Sequence, residues 1–326
     1  HDCALLRDQE EICRLALRPA SAIENLMPVS IGDYTDFYSS IDHATNVGKM
    51  FRDPANALLP NWRHLPVGYH GRSSSIVVSG TSIYRPKGQT RPDDALPPVF
   101  GPSRQVDFEL EMAFITCAET SLGESVPVEQ SEDYIFGLVL FNDLSARDIQ
   151  RWEYVPLGPF LSKSFGSVIS PWIVTLDALE PFRIDSPIQD PAPFNYLKHS
   201  GKNHFDVQLE VYLQPQGQTG QLICRSNLRH LYWSMAQQLS HQTVAGCNIR
   251  VGDLYASGTI SGPEPESFGS LLELCWKGTK PIVMADGSSR VFVHDNDTIT
   301  MKAFAEKDGI RIGFGECVTT ILPAKN

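Results

Sequence analysis

Basic side chains are scarce in this chain. Lys and Arg number 27 against 38 Asp and Glu, for a formal net charge of −11. Nucleic acid and anionic membrane surfaces repel such a protein, so neither is expected as a partner. Long apolar runs are missing too. None approaches the roughly 20 residues a bilayer-spanning helix needs, and the longest, around 135–141, suits a buried strand. No charged-then-apolar leader opens the chain, which begins at His1 rather than Met. The 7 cysteines are odd in number, widely spaced and free of any C-x-x-C pair. That pattern fits free, mostly buried thiols of a reducing cytosol better than a disulfide framework or a zinc site. Neither H-E-x-x-H nor G-x-S-x-G occurs, which removes the zinc-protease helix and the serine-nucleophile elbow.

What is present is a chain of 326 residues, 42% hydrophobic, long enough for a substantial core. Leu5, Leu6, Ile12, Cys13 and Ala16 recur at near-helical spacing, so 3–17 reads as an amphipathic helix. Beyond Ser30 the texture changes. Short apolar or alternating runs at 75–78, 106–114, 136–141, 172–176, 207–213, 271–276 and 290–294 are separated by Gly, Pro, Asn and Asp clusters. That is the rhythm of a β-rich domain with many turns. One helix interrupts it, on Leu228, Leu231, Tyr232, Met235 and Leu239, with Ser226 or Asn227 placed to cap it. The Pro-rich stretch 181–193 and the polar stretch 198–206 read as surface loops, and internal repeats are absent. The chain therefore divides near residue 30 into a short helical lead, 1–29, and one large β-dominated domain, 30–326.

Carboxylates crowd one short strand. In Val106-Asp107-Phe108-Glu109-Leu110-Glu111-Met112 the apolar residues point one way and Asp107, Glu109 and Glu111 the other. Acidic residues are poor strand formers and repel one another on a shared face. The ordinary meaning is a solvated strand face; a functional meaning requires further oxygen ligands nearby. Two segments can supply them. Gly32-Asp33-Tyr34-Thr35-Asp36-Phe37-Tyr38 places acids in an aromatic loop, and Asp143 ends the apolar strand Val139-Leu140-Phe141-Asn142-Asp143. Asp143 has a competing role, capping the turn at 145–148. Together Asp36, Glu109, Glu111 and Asp143 would make an all-oxygen site, which selects a hard cation such as Mg²⁺ or Ca²⁺ over zinc or copper.

A second group of residues offers a base and cations. His43 sits in the polar loop Asp42-His43-Ala44-Thr45-Asn46, where a lone histidine is ordinarily structural. Arg147, Gln150 and Lys163 follow Asp143 closely, and exposed cations are ordinarily solubilising. Between them Trp152-Glu153-Tyr154-Val155-Pro156-Leu157-Gly158-Pro159 is aromatic and proline-stiffened, a composition suited to a pocket wall. Cations beside such a wall can stabilise a developing oxyanion.

These segments, in this order and spacing, resemble the fumarylacetoacetase branch of the fumarylacetoacetate hydrolase family. The resemblance is carried by Ile31–Tyr38 and His43–Gly48 together with Leu59-Pro60-Asn61-Trp62 and Leu65-Pro66-Val67-Gly68-Tyr69-His70-Gly71-Arg72. Asp107–Met112, Asn142–Gln150, Trp152–Phe160, Lys163-Ser164-Phe165-Gly166, Ala256-Ser257-Gly258-Thr259-Ile260-Ser261-Gly262 and Glu266-Ser267-Phe268-Gly269-Ser270 extend it. It runs from about residue 30 to the end of the chain. It implies a β-rich mixed α+β fold, a β-sandwich roll of the fumarylacetoacetase C-terminal type with few helices. It also implies a small β-rich domain ahead of this region, of which 1–29 would be a helical remnant.

The resemblance further implies metal ligation by Asp36, Glu109, Glu111 and Asp143, with Mg²⁺ or Ca²⁺ as the ion. It implies His43 as general base, oriented by Glu273, which on its own pattern is an ordinary strand acid among leucines. Arg147, Gln150 and Lys163 would hold the reacting oxygens, and Tyr38, Arg52, Arg147, Gln150, Tyr154 and Thr259 would contact substrate. Lys163 and Ser167 match a second, structural metal position near Asp143. Ser167 stands where Thr is expected, and Ser162 where Gly is expected. The implied reaction is hydrolytic carbon–carbon cleavage of 4-fumarylacetoacetate to fumarate and acetoacetate, the last step of tyrosine and phenylalanine breakdown, in a cytoplasmic homodimer. The nearest sister activity, acylpyruvate hydrolysis, would use the same site on a smaller substrate.

Overall fold

The computed structural model describes residues 9–326. Two sheets account for most of the strands. The larger has eight strands, in the order Gly68–His70, Tyr34–Phe37, Leu254–Ala256, Leu110–Thr116, Ile135–Asp143, Ser167–Ile169 and Ile76–Val78, with Val174–Thr175 pairing the long Ile135–Asp143 strand. The smaller orders Gln221–Asn227, Gln208–Gln214, Thr298–Lys307, Ile310–Leu322 and Ile83–Tyr84. The β-rich mixed fold expected from the sequence is the fold observed.

Strand alternation decides what each face carries. In the large sheet Leu110, Met112, Phe114, Leu138, Leu140, Val168 and Tyr255 face the small sheet. There they join Val207, Leu209, Val211, Leu213, Ile299, Met301 and Phe314 in the main core. Each fully buried Leu or Phe contributes roughly 1.5–3 kcal/mol to holding the sheets together. The opposite face carries Tyr34, Ala113, Ile115, Val139, Phe141, Ile169, Leu254 and Ala256, partly covered by Met27, Val29 and Ile31. Asp36, Glu111 and Asp143 continue the register of this second face, because each is an even number of residues from one of its apolar members.

Five local expectations are corrected. The segment 32–38 is not a loop: Tyr34–Phe37 is a strand between Gly68–His70 and Leu254–Ala256. His43 is not in a loop either, since Ile41–Phe51 is a helix whose Ser40 cap accepts from His43 N at 3.2 Å. The stretch 271–276 is not a strand; Ser270 caps a short helix, Leu271–Leu274. The helix expected across 228–239 splits. Asn227 caps only the 3-10 turn Leu228–His230, and Ser234 starts a new helix, Met235–Thr243, with a capping box to Gln237. The intervening Leu231 and Tyr232 are drawn out by a bridge to Ser40 and a hydrogen bond to Ser39 O, so tertiary pairing overrides helical periodicity. Finally, the alternating strand at 106–112 breaks between Val106–Asp107 and Leu110–Thr116, and Glu109 bridges Ser270 instead.

Of the amphipathic helix read at 3–17, Glu10–Ala16 is helical and residues 3–8 lie outside the described residues. Cys224, Cys275 and Cys317 are buried free thiols, whereas the free thiols Cys117 and Cys247 are exposed. No helix among the described residues is long and apolar enough to cross a membrane.

Candidate active site

The Asp36, Glu109, Glu111 and Asp143 carboxylates converge, each offering an oxygen within 4.8 Å of the others. All four are buried, Glu109 being the most exposed at 6%. The ends of three strands of the large sheet and the Glu109 bridge bring them together, which explains why acids sit in positions that sheet propensity disfavours. The solvated-face reading of D-x-E-x-E therefore fails: Asp107, Glu109 and Glu111 are all buried. Asp107 belongs elsewhere. Its oxygens accept from Leu271 N at 2.8 Å and Leu272 N at 3.0 Å, and from Arg147 Nε at 2.9 Å.

Two cations brace the cluster. Lys163 Nζ donates to Glu109 Oε2 at 2.5 Å and Asp143 Oδ2 at 2.6 Å, and Arg147 Nη1 lies 2.7 Å from Glu109 Oε1. Burial alone would push the Glu109 carboxyl up, but Lys163 and then Arg147 outweigh it and hold it well below the usual range. Burial works to deprotonate Lys163, and Asp143 and Glu109 reverse that, so it remains an ammonium. Ser167 Oγ donates to Asp143 Oδ1 at 2.7 Å.

Asp36 and Glu111 have no such cation. Burial first, then Asp143 for Asp36 and Asp36 for Glu111, raises both carboxyls well above their ordinary values. Asp36 Oδ1 and Glu111 Oε1 are buried without a hydrogen-bond donor. Two orphaned anionic oxygens in an all-carboxylate cluster are what a divalent cation relieves, and the hard oxygen donors suit one. The remaining Glu111 oxygen accepts from Gly258 N at 3.0 Å. Gly258 has φ +78°, and a Cβ there would meet Phe37 O at 2.2 Å, so only glycine brings its amide this close.

The histidine stands beside this cluster. His43 Nδ1 is 2.6 Å from Glu273 Oε2, with the side chains 4% and 0% exposed. Burial alone would raise the Glu273 carboxyl. His43 and then the hydrogen bonds from His43, Asn46 and Ser270 more than offset this, so it stays ionised. An ionised acceptor facing Nδ1 favours an imidazole proton on that nitrogen. The acid's helix is tied to the carboxylate strand by the Glu109–Ser270 bridge and by Leu110 N donating to Gly269 O at 2.8 Å.

The other expected residues are distributed around these. Tyr38 packs edge-on against the His43 ring, centroids 5.1 Å apart. Gln150 Oε1 accepts from Arg147 Nη1 at 3.2 Å. Arg147 Nη2 and Thr259 Oγ1 are buried and unpartnered. Arg52 is exposed and donates to Ala57 O, at 2.7 Å from Nη2. Tyr154 is 50% exposed, and its loop is an open apolar segment with Leu157 96% exposed, rather than a packed wall. Ser162 is fully buried and its amide donates to Glu153 Oε1 at 2.8 Å.

Pattern reading passes over several groups that stand here. Tyr69 pairs directly opposite Asp36 and donates to Asp143 Oδ2 at 3.3 Å. Tyr34 is buried, with an unpartnered hydroxyl and a pKa raised first by burial and then by Asp143 and Asp36. Asn46, Ser261 and Ser270 bind Glu273. For Asn46 the spacing from His43 would have placed both on one face, had a helix been assigned there.

Comparison with known proteins gives one consistent answer. The family model described as fumarylacetoacetate (FAA) hydrolase C-terminal matches residues 34–322. A fumarylacetoacetase of Homo sapiens is 56% identical over 98% of this chain and 77% of its own length. One of Caenorhabditis elegans is 54% identical over 99% of this chain and 78% of its own. Among solved structures, a 5-carboxymethyl-2-hydroxymuconate delta-isomerase from Mycobacterium smegmatis shares the fold, with a TM-score of 0.55 at 19% identity over 95% of this chain and 86% of that one.

Proposed function

The chain belongs to the fumarylacetoacetate hydrolase family, and from that premise we propose the reaction and the role of each site residue. The enzyme is a hydrolase of carbon–carbon bonds, cleaving fumarylacetoacetate to fumarate and acetoacetate. The observation that carries the residue roles is the buried four-carboxylate cluster set beside the buried His43–Glu273 pair. Asp36, Glu109, Glu111 and Asp143 would hold the divalent cation, and the all-oxygen donor set favours Mg²⁺ or Ca²⁺. When bound, the cation would polarise the diketone oxygens of the substrate. Lys163 and Ser167, which both bind Asp143, would flank a second, structural cation position.

His43 Nε2 takes a proton from water while Glu273 keeps the other imidazole proton on Nδ1. The water oxygen adds to the carbonyl carbon next to the fumaryl unit. Arg147, whose Nη2 has no partner in the protein, meets the negative charge that builds there, with Gln150 and Lys163. Collapse forms the fumarate carboxyl and breaks the carbon–carbon bond. The electron pair leaves on the acetoacetate carbon, which takes the proton back from His43. Tyr38, Arg52, Tyr154 and Thr259 would position the substrate. The same reading makes 30–326 the catalytic unit and the working enzyme a cytoplasmic homodimer, and the free thiols fit a reducing compartment.

The test is hydrolysis of fumarylacetoacetate, followed by loss of its diketone absorbance, with Mg²⁺ or Ca²⁺ and after chelation. Acetylpyruvate is run in parallel. Turnover that vanishes on chelation, returns with metal and prefers the larger substrate is expected. Preference for acetylpyruvate would move the assignment to the sister activity.

A further inference from the structure

Glu273 is held by more donors than His43 alone. Its Oε2 accepts from Ser261 Oγ at 2.9 Å and Ser270 Oγ at 2.9 Å, besides His43 Nδ1 at 2.6 Å. Its Oε1 accepts from Asn46 Nδ2 at 3.0 Å. Ser261 joins this acid to everything around it. Its Oγ also accepts from Gly269 N at 2.9 Å, in the loop that leads into the Glu273 helix. Its carbonyl accepts from Ser40 Oγ at 2.8 Å, and Ser40 caps the helix that carries His43. One residue therefore ties the acid, the start of the acid's helix and the start of the base's helix. Ser261 and Ser270 are 0% exposed, so bulk water cannot replace a missing donor.

A buried carboxylate with a single donor can rotate about its last torsion. Donors on both oxygens hold its plane and its charge together. We propose that Ser261, with Asn46, is a positioning residue of the reaction: through Glu273 it sets the orientation and tautomer of His43 without touching substrate. The proposal rests on the reading of His43 as general base. Removing the Ser261 hydroxyl takes one of three donors from Oε2 and strands the Gly269 amide, so the acceptor plane facing His43 Nδ1–H loosens, held beside His43 by Ser270 and Asn46 alone.

The experiment compares Ser261→Ala and Asn46→Ala with wild type in the metal-replete enzyme. Each should lower kcat on the order of 10- to 100-fold, with KM within about twofold. In a Glu273→Gln background, adding either substitution should cost less than about a further twofold, because the residue it acts through is already altered. A substrate-free readout accompanies the kinetics: long-range ¹H–¹⁵N spectra of histidine-labelled protein, with His43 assigned by its loss in His43→Gln. Wild type should show protonated Nδ1, and Ser261→Ala a mixture of tautomers. Unchanged kcat with an unchanged tautomer overturns the proposal, and so do losses that multiply fully in the Glu273→Gln background. If Ser261→Ala fails to fold, the half-buried Asn46→Ala carries the same test. A wild type with no turnover on fumarylacetoacetate would instead refute the functional reading, while the spectra still decide whether the cradle sets the tautomer.

Discussion

Replacing Glu111 with Gln should stabilise the protein without metal and cut the stability that metal adds. Glu111 is fully buried, takes one amide hydrogen bond from Gly258 and lies among three other carboxylates within 4.8 Å. At that distance a like-charged pair costs about 3 kcal/mol with an effective dielectric near 20. Burial and the neighbouring acids already push its pKa well up, so part of the repulsion is relieved by protonation and the remaining gain is about 1–2 kcal/mol. The glutamine oxygen keeps the Gly258 contact, and its amide nitrogen faces carboxylates, among which Asp36 Oδ1 lacks a donor. Unfolding 326 residues carries roughly 2 cal/mol/K per residue, so the chelated variant should melt about 2–3 °C above wild type. With metal the gain is offset to near zero. A neutral ligand weakens cation binding by about tenfold or more, which removes roughly 1.4 kcal/mol of ligand-linked stability at saturating ion. Calorimetry with chelator and with saturating Mg²⁺ or Ca²⁺ measures both. A chelated variant that melts below wild type, or one that keeps the full metal-dependent rise, refutes the repulsion argument.

Three further outcomes follow from the same geometry. His43→Ala should reduce turnover by about 10²–10⁴-fold while the metal-dependent rise in Tm persists; loss of that rise would move His43 into the metal site. Asp107→Ala leaves Arg147 Nε and the Leu271 and Leu272 amides without their buried acceptor, while Glu109 still pairs with Arg147, so three orphaned donors should cost about 3–5 kcal/mol in denaturant unfolding. A loss under 1 kcal/mol would mean that Asp107 is not the support of this helix. The chelated protein should also lose stability relative to the metal-saturated protein as pH rises. Asp36 and Glu111 have raised folded pKa values. Their contribution is therefore complete below the ordinary carboxylate range near 4 and is lost as pH climbs through the raised values. Glu109 and Glu273 are depressed, so their contribution is lost only as pH falls through those lower values. The histidines that burial depresses (His199, His204, His230, His241 and His294) work the other way and act alike with and without metal. The signature of the first pair is therefore a Tm of the chelated protein that falls, relative to the metal-saturated protein, as pH rises above the ordinary carboxylate range. A slope that metal does not alter would count against the cluster as its source.

Much of the site was legible before the fold was. The acids at 107, 109 and 111 broke the rules for a strand face, and an Asp at the end of the apolar run 139–143 had to sit at a core rim. Those violations of local propensity marked chemistry, as functional positions commonly do. Local structure was harder. His43 reads as a loop residue from its polar neighbours, yet Ile41, Ala44, Val47 and Phe51 fall at helical spacing, Ser40 caps the segment, and burial of His43, Ala44 and Gly48 holds it as a helix. Glu273 alternated with leucines, and a four-residue helix is too short to show its own period. Resemblance to a family supplied its role; the residue pattern did not.

By itself the sequence determined the chemistry available: an acidic chain, a strand carrying too many carboxylates, no cysteine or serine nucleophile motif, and alternation that builds two apolar faces on one sheet. Those properties are local, set by residue type and the two-residue period of a strand. Tertiary structure alone decided which acids meet. Asp107 and Glu109, two residues apart, part company because the strand breaks between them. One turns to Arg147 and the Leu271 helix, and the other joins Asp36 and Asp143. It also placed Asn46, Ser261 and Ser270 on an acid as many as 227 positions away in the chain. Packing and pairing between distant segments settle such contacts, and no periodicity along the chain encodes them.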